Sequence, residues 1–108
     1  MITIFRNSVT CTYTKGPTAW WKVDLHHLHL IHNILIYNRM VQYQSRIDGG
    51  TVHIDEYQVI TLEYMEDRNP FIADNLYRIG SEVRIQGGTG YGAHLSLAEV
   101  QIYAGNLD

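Results

Sequence analysis

The strongest constraint on what this chain can fold into is the period of its apolar residues, which is two over most of its length. Ile2, Ile4 and Arg6 alternate with Thr3 and Phe5, and Val52-His53-Ile54 alternates again. Val59 to Tyr64, Glu82 to Gln86 and Leu95 to Tyr103 are further candidate strands, and Leu30 to Tyr37 is a β-branched and aliphatic run. Successive side chains of a strand point to opposite faces, so this pattern builds half-buried strands; no stretch of useful length has helical spacing. Turn-forming residues punctuate the runs at Lys15-Gly16-Pro17, Asp48-Gly49-Gly50, Asn69-Pro70 and Gly87-Gly88-Thr89-Gly90-Tyr91-Gly92. Short strands at this spacing predict an all-β sandwich. No linker, repeat or low-complexity stretch divides the 108 residues. The expectation is one domain over residues 1–108 with one core.

Composition then narrows the function. With 45 % hydrophobic and 18 % charged residues the chain has enough apolar material to fold and an ordinary polar surface. A net charge of −3 supplies no basic field for nucleic acid or for anionic lipid. No apolar run is long enough to span a bilayer, and Met1 leads straight into strand-like sequence rather than a secretory leader. The single cysteine, Cys11, excludes an intrachain disulfide.

Four groups of residues have chemical potential. His26, His27, His29 and His32 include an i, i+2 pair, His27 and His29, that a regular strand would place on one face, as a shared metal requires. No cysteine or HExxH pattern accompanies them, and a polar turn (His26, His27) followed by solvent-facing strand positions explains them better than a metal does. The glycines from Gly87 to Gly92 lie between strand patterns and lack the helix and Lys-Ser/Thr of a phosphate loop, so they read as a hairpin. The 11 carboxylates show no spacing of a catalytic pair or triad, and the chain reads as a non-enzyme. The fourth group, Asn38 to Arg46, places Arg39 and Arg46 around a polar-aromatic loop directly after an apolar strand. A guanidinium is a planar fork of donors that suits sugar hydroxyls, ring oxygens and carboxylates, and Tyr43 beside it can pack on a pyranose face.

Here the residues resemble a known family. Ala19-Trp20-Trp21-Lys22-Val23-Asp24-Leu25, the run Ile31 to Ile36 and Tyr37-Asn38-Arg39 are similar to the core motif of F-type lectins, within the discoidin-like (factor V/VIII C-type, galactose-binding-like) superfamily. Val83-Arg84-Ile85-Gln86 and Leu95 to Tyr103 resemble the family's closing strands. The fold this implies is a jelly-roll β-sandwich, and the function a non-catalytic, extracellular carbohydrate-binding module for fucose or a related terminal sugar of glycans. Arg39 and Arg46 match the family's two sugar-binding arginines in identity and spacing. Tyr13 falls on the motif's histidine, Val41 on its aspartate, and Gln42 and Tyr43 on a cysteine pair that some members stack against the sugar. The implied carbohydrate site is Arg39, Arg46, Tyr13, Gln42 and Tyr43, with Phe5 near a position where the family places an aromatic. A tyrosine reaches further than an imidazole, and Val41 removes a carboxylate that orients an arginine, so the pocket differs from one for strict L-fucose. The partner that would bridge Cys11 falls on Ala98, which leaves a free thiol.

The resemblance also implies a structural Ca2+ near Glu99, the carbonyl of Ala98 and Thr10, although calcium takes six to eight oxygens and the acidic loop that supplies the rest has no counterpart. It implies that the family's first strands are missing, which leaves an open sheet edge and favours a homo-oligomer. Two other roles follow from the same resemblance: a degenerate discoidin-like domain making protein or cell-surface contacts without sugar, and membrane contact through a Phe71-Ile72 spike. Glu66, Asp67 and Asp74 around that pair argue against membrane contact. Trp20 and Trp21 are expected in the core, where large aromatics bury well.

Overall fold

The computed structural model describes residues 2–8, 12–13, 20–38, 47–87, 94–95 and 97–107. They form β1 (Ile2–Ser8), β2 (Thr12–Tyr13), β3 (Trp20–Asn38), β4 (Thr51–Ile54), β5 (Tyr57–Thr61), β6 (Phe71–Ala73), β7 (Arg78–Gln86), β8 (His94–Leu95) and β9 (Leu97–Gly105). Seven strands join in the order β1-β9-β3-β7-β4-β5, with β6 also on β3, and β2 pairs separately with β8. These strand pairs are all antiparallel. The jelly-roll β-sandwich of the galactose-binding-like kind is thus the architecture, consistent with the period-two pattern.

β3 is what turns one sheet into two layers. Its first five residues, Trp20 to Asp24, pair with Gln86 to Glu82 of β7, and after a break His29 to Ile31 pair with Gly80 to Arg78. Leu30 to Asn38 pairs with β9 on one side and Ile34 to Ile36 with β6 on the other. Between Asp24 and His29 the register with β7 jumps. His26 has a positive φ of 71° there, and its N–H donates to Asp24 Oδ1 at 2.7 Å. A strand that leaves one sheet for the other through an irregularity forms the corner of a sandwich. Both halves then line one core: Val52, Ile54, Val83 and Ile85 from one layer meet Ile34, Ile36, Val100 and Ile102 from the other.

A second irregularity sets which residues face inward. The pairing of β3 with β9 skips between Ile31 and Asn33, so Ile31 and Ile34 are both fully buried although three apart. After that bulge the period of two resumes with Ile36 and Asn38 inside. The predicted run Leu30 to Tyr37 is therefore one part of a strand that begins at Trp20.

Three readings of the sequence are amended. Trp21 is partly buried against the core, but Trp20 is 46 % exposed, because adjacent strand residues face opposite ways. Phe71 is buried in β6 while Ile72 points out, so the pair is an ordinary strand alternation rather than a loop spike. The strand predicted over 59–64 runs from Tyr57 to Thr61, shifted by a bulge between Val52 and His53 in its pairing with β4.

Candidate functional site

The loop that carries the two expected arginines is pinned at both of its stems. On one side, Asn38 ends β3, is buried, and its N–H donates to Asn69 Oδ1 at 3.0 Å. Asn69 Nδ2 returns a longer bond to the Asn38 carbonyl at 3.5 Å. On the other side, Ile47 is in the core and its carbonyl accepts from Gly50 N at 3.1 Å. Gly49 N donates to Leu62 O at 2.9 Å, Leu62 N to Gly50 O at 2.6 Å, and Tyr64 N to Asp48 Oδ1 at 2.9 Å. Gly49 sits at φ 77°, and a Cβ on Gly50 would lie 3.0 Å from the Gln86 carbonyl, so both glycines are required by the turn. A segment fixed at both stems to a rigid sandwich is a suitable mount for binding side chains.

Arg39, Gln42, Tyr43, Arg46 and Val41 lie outside the described residues, as do Thr10, Cys11 and the loop from Gly88 to Gly92. Tyr13 is placed by its backbone alone, opposite His94 in the β2–β8 ribbon. Phe5 lies in mid-strand, opposite Ile102, packed against the core and edge-on to His29 with ring centroids 5.2 Å apart. Of the expected calcium ligands, Ala98 is exposed, and the Glu99 carboxylate accepts a hydrogen bond from Gln101 Nε2.

The histidine group does not assemble. The corner separates His27, which is exposed, from His29, which is partly buried beside Phe5. His32 stands edge-on to Tyr77 at 5.0 Å. Among the described residues no three His, Cys, Asp or Glu side chains gather as metal ligands would. His26 and His27 are exposed within β3, at its corner rather than in a separate turn, and His29 and His32 are only partly exposed.

A recess lies on the outer face of the β3–β7–β4 layer. It measures about 180 Å³ and is lined by Trp20, Lys22, Arg84 and Gln86. Trp20 is directly opposite Gln86 and Lys22 opposite Arg84 across the β3–β7 ladder, while Thr51 and His53 of β4 flank Gln86 and Arg84 on the other side. The Lys22 ammonium lies 5.6 Å from the Trp20 ring centroid and 3.8 Å from Glu82 Oε2. His53 shares a 2.9 Å hydrogen bond with Thr51 Oγ1. Partial burial, and then the positive charge of Arg84, hold the His53 pKa below its ordinary value, so the imidazole is neutral at pH 7. These residues were not expected as a site. Part of the signal was nevertheless in the sequence: the alternation that puts Trp21, Val23, Val83 and Ile85 inside puts Trp20, Lys22, Arg84 and Gln86 outside, and the β3–β7 register then brings them together.

The His53 shift carries a stability consequence. A histidine whose folded pKa is lowered binds fewer protons in the folded than in the unfolded chain, so its contribution is intact above the unfolded value of about 6.5 and declines as pH falls below it. Urea unfolding of the parent chain between pH 7.5 and pH 5 should show this decline, and His53→Gln should flatten it. An equal slope in both proteins would remove His53 as the cause.

Comparison with known proteins adds the following. No protein-family model matches the chain. Fucolectin-3 of Anguilla japonica is 33 % identical over 48 residues, which is 44 % of this chain and 27 % of the fucolectin. Fucolectin-4 of the same eel is 38 % identical over 45 residues, 42 % of this chain and 25 % of the relative. The match thus spans about a quarter of the length of these curated relatives. Among solved structures, a fucose binding module of Streptococcus pneumoniae superposes with a TM-score of 0.72 at 30 % identity, covering 86 % of this chain and 71 % of the module. An F-lectin (fucolectin) from striped bass (Morone saxatilis) serum superposes with a TM-score of 0.79 over 99 % of this chain and 46 % of its own. At 20 % identity that likeness speaks for the fold alone.

Proposed function

Because this chain belongs to the F-type lectin family, we propose that it is a non-catalytic module that binds terminal L-fucose or a related sugar of glycans, in an extracellular setting, through Arg39 and Arg46. The observation that carries this reading is the double anchoring of their loop, at Asn38–Asn69 on one stem and Ile47–Gly50 on the other, in a fold shared with a fucose binding module. Two guanidiniums on such a mount supply directed donors to ring oxygen and hydroxyls, and Tyr13, Gln42 and Tyr43 complete the wall. Phe5, which the resemblance places near the sugar, packs against the core.

The test is a glycan array probed with the parent chain and an Arg39→Ala, Arg46→Ala double variant, each with calcium and with EGTA. The parent should bind fucosylated or galactose-type glycans. The double variant should lose at least about tenfold in affinity, the equivalent of one to two charge-assisted hydrogen bonds. A parent chain that is folded yet blank across the array would overturn the reading in favour of a protein-contact domain. Loss of signal or a lowered Tm in EGTA would support a structural calcium at Glu99, Ala98 and Thr10, and no change would dismiss it. Pairing of two copies at an open edge, β1 or β5, belongs to the same reading. A monomer in size-exclusion chromatography at all concentrations would exclude it.

A further inference from the structure

We infer that the outer face of β3 and β7 is a second carbohydrate subsite, one for a saccharide unit bearing a sulfate or carboxylate, with Lys22 and Arg84 holding the anion and Trp20 forming a floor for the sugar ring. The inference shares with the proposed function only the premise that the chain binds saccharides, and it uses none of residues 39–46.

Three observations converge on it. Lys22 and Arg84 are directly opposite on neighbouring strands, an arrangement in which like charges repel. Glu82 answers only Lys22, at 3.8 Å near the limit of an ion pair. Arg84 Nε is shielded from solvent and has no hydrogen-bond partner among the described residues, whereas shielded donors are nearly always paired. Two cations on one ladder rung with an unanswered donor fit an oxyanion. The guanidinium matches sulfate or carboxylate with two parallel bonds, and the ammonium adds a point charge.

The second element is Trp20. A large aromatic 46 % exposed on a sheet face, two rungs from the cation pair and on the same side, offers an apolar platform of the kind a pyranose covers. Gln86, opposite Trp20, brings an amide that both donates and accepts, as sugar hydroxyls require. A bare inorganic anion would use Lys22 and Arg84 but leave Trp20 and Gln86 idle. The acidic groups of this face, Asp24 and Glu82, stand opposite each other two rungs further toward the corner, so the charge runs from negative at the corner to positive at the recess. That gradient orients the ligand with its anion on Lys22 and Arg84 and its ring on Trp20.

The experiment is a titration of the 15N-labelled chain with galactose 6-sulfate, galactose and inorganic sulfate separately. The readouts are the Trp20 indole N–H and Arg84 Nε–H signals, assigned with Trp20→Phe and Arg84→Lys. Galactose 6-sulfate should shift both signals and bind about tenfold or more tightly than either of the other two. Lys22→Gln with Arg84→Gln should remove about tenfold or more of that affinity, and raised salt should weaken it in the parent chain. Unmoved Trp20 and Arg84 signals at saturating probe would overturn the inference. So would equal binding of inorganic sulfate and galactose 6-sulfate, the mark of an adventitious ion only. A blank neutral-glycan array with shifts at Trp20 and Arg84 would defeat the arginine-loop reading and leave this one standing. The reverse pair of results would do the opposite.

Discussion

Gly80→Val should lower the stability of the chain by about 3 kcal/mol, the upper part of the range for overpacking a well-filled core, read as a drop in the urea midpoint at unchanged slope. Gly80 is buried in β7 opposite His29, where the pairing of β7 with β3 resumes after the corner. A Cβ added there would lie 2.4 Å from Ile54 Cγ2 and 3.2 Å from Asp55 Oδ2. Cγ2 is attached next to the Ile54 backbone and Ile54 is 2 % exposed, so it has no open space into which to withdraw. Even Gly80→Ala should destabilise, despite alanine's lower unfolded-state entropy. Coupling is the decisive measurement: in an Ile54→Ala background the Gly80→Ala cost should largely disappear, while strictly additive costs would show that the contact is not the cause.

Asp55→Ala should cost a comparable amount, about 3 kcal/mol, because one carboxylate oxygen serves two part-buried backbone donors. Asp55 follows Ile54 at the end of β4, and its Oδ1 accepts from Ser81 N and Glu82 N, both at 3.1 Å. Its own N–H donates to the Glu82 carbonyl at 2.9 Å. The side chain thus continues the β4–β7 ladder one step past the strand, at the stretch of β7 from which β3 departs. Alanine leaves both donors unanswered and must also adopt the φ of 54° that Asp and Asn tolerate better. Asp55→Asn retains an acceptor and the backbone preference, so it should recover most of the loss. If asparagine were as damaging as alanine, the role assigned to Oδ1 would be wrong. Asp55 and Gly80 are neighbours, so their substitutions should not add.

Neither residue stands out in the sequence. Gly80 lies ahead of the strand expected over Glu82 to Gln86, and Asp55 looks like any polar turn residue after Val52-His53-Ile54. Their roles come from strands more than twenty residues apart meeting at the corner of β3, and alternation has no means of announcing such a meeting. The same holds for the histidines: His27 and His29 share a face in an ideal strand, and the break between Asp24 and His29 undoes it. β6 escaped notice because a three-residue strand flanked by acidic residues carries too few periods to be distinguished from a loop.

What the amino-acid order determined alone is the class of fold and the division of each strand into an inner and an outer face. Side-chain direction in a strand is a local property with period two, so Val83 and Ile85 had to face away from Arg84 and Gln86 wherever the strand was placed. The motif around Trp20 to Arg39 and the closing strands likewise carried the family. Tertiary structure decided where the alternation is broken: at the corner of β3, at the bulge between Ile31 and Asn33, and at the stems of the arginine loop. It also decided which outward residues become neighbours. Lys22 and Arg84 are 62 positions apart in the chain, and only the β3–β7 register sets one cation across from the other. Register depends on the packing of both layers against one core, a sum over distant contacts that no local stretch contains.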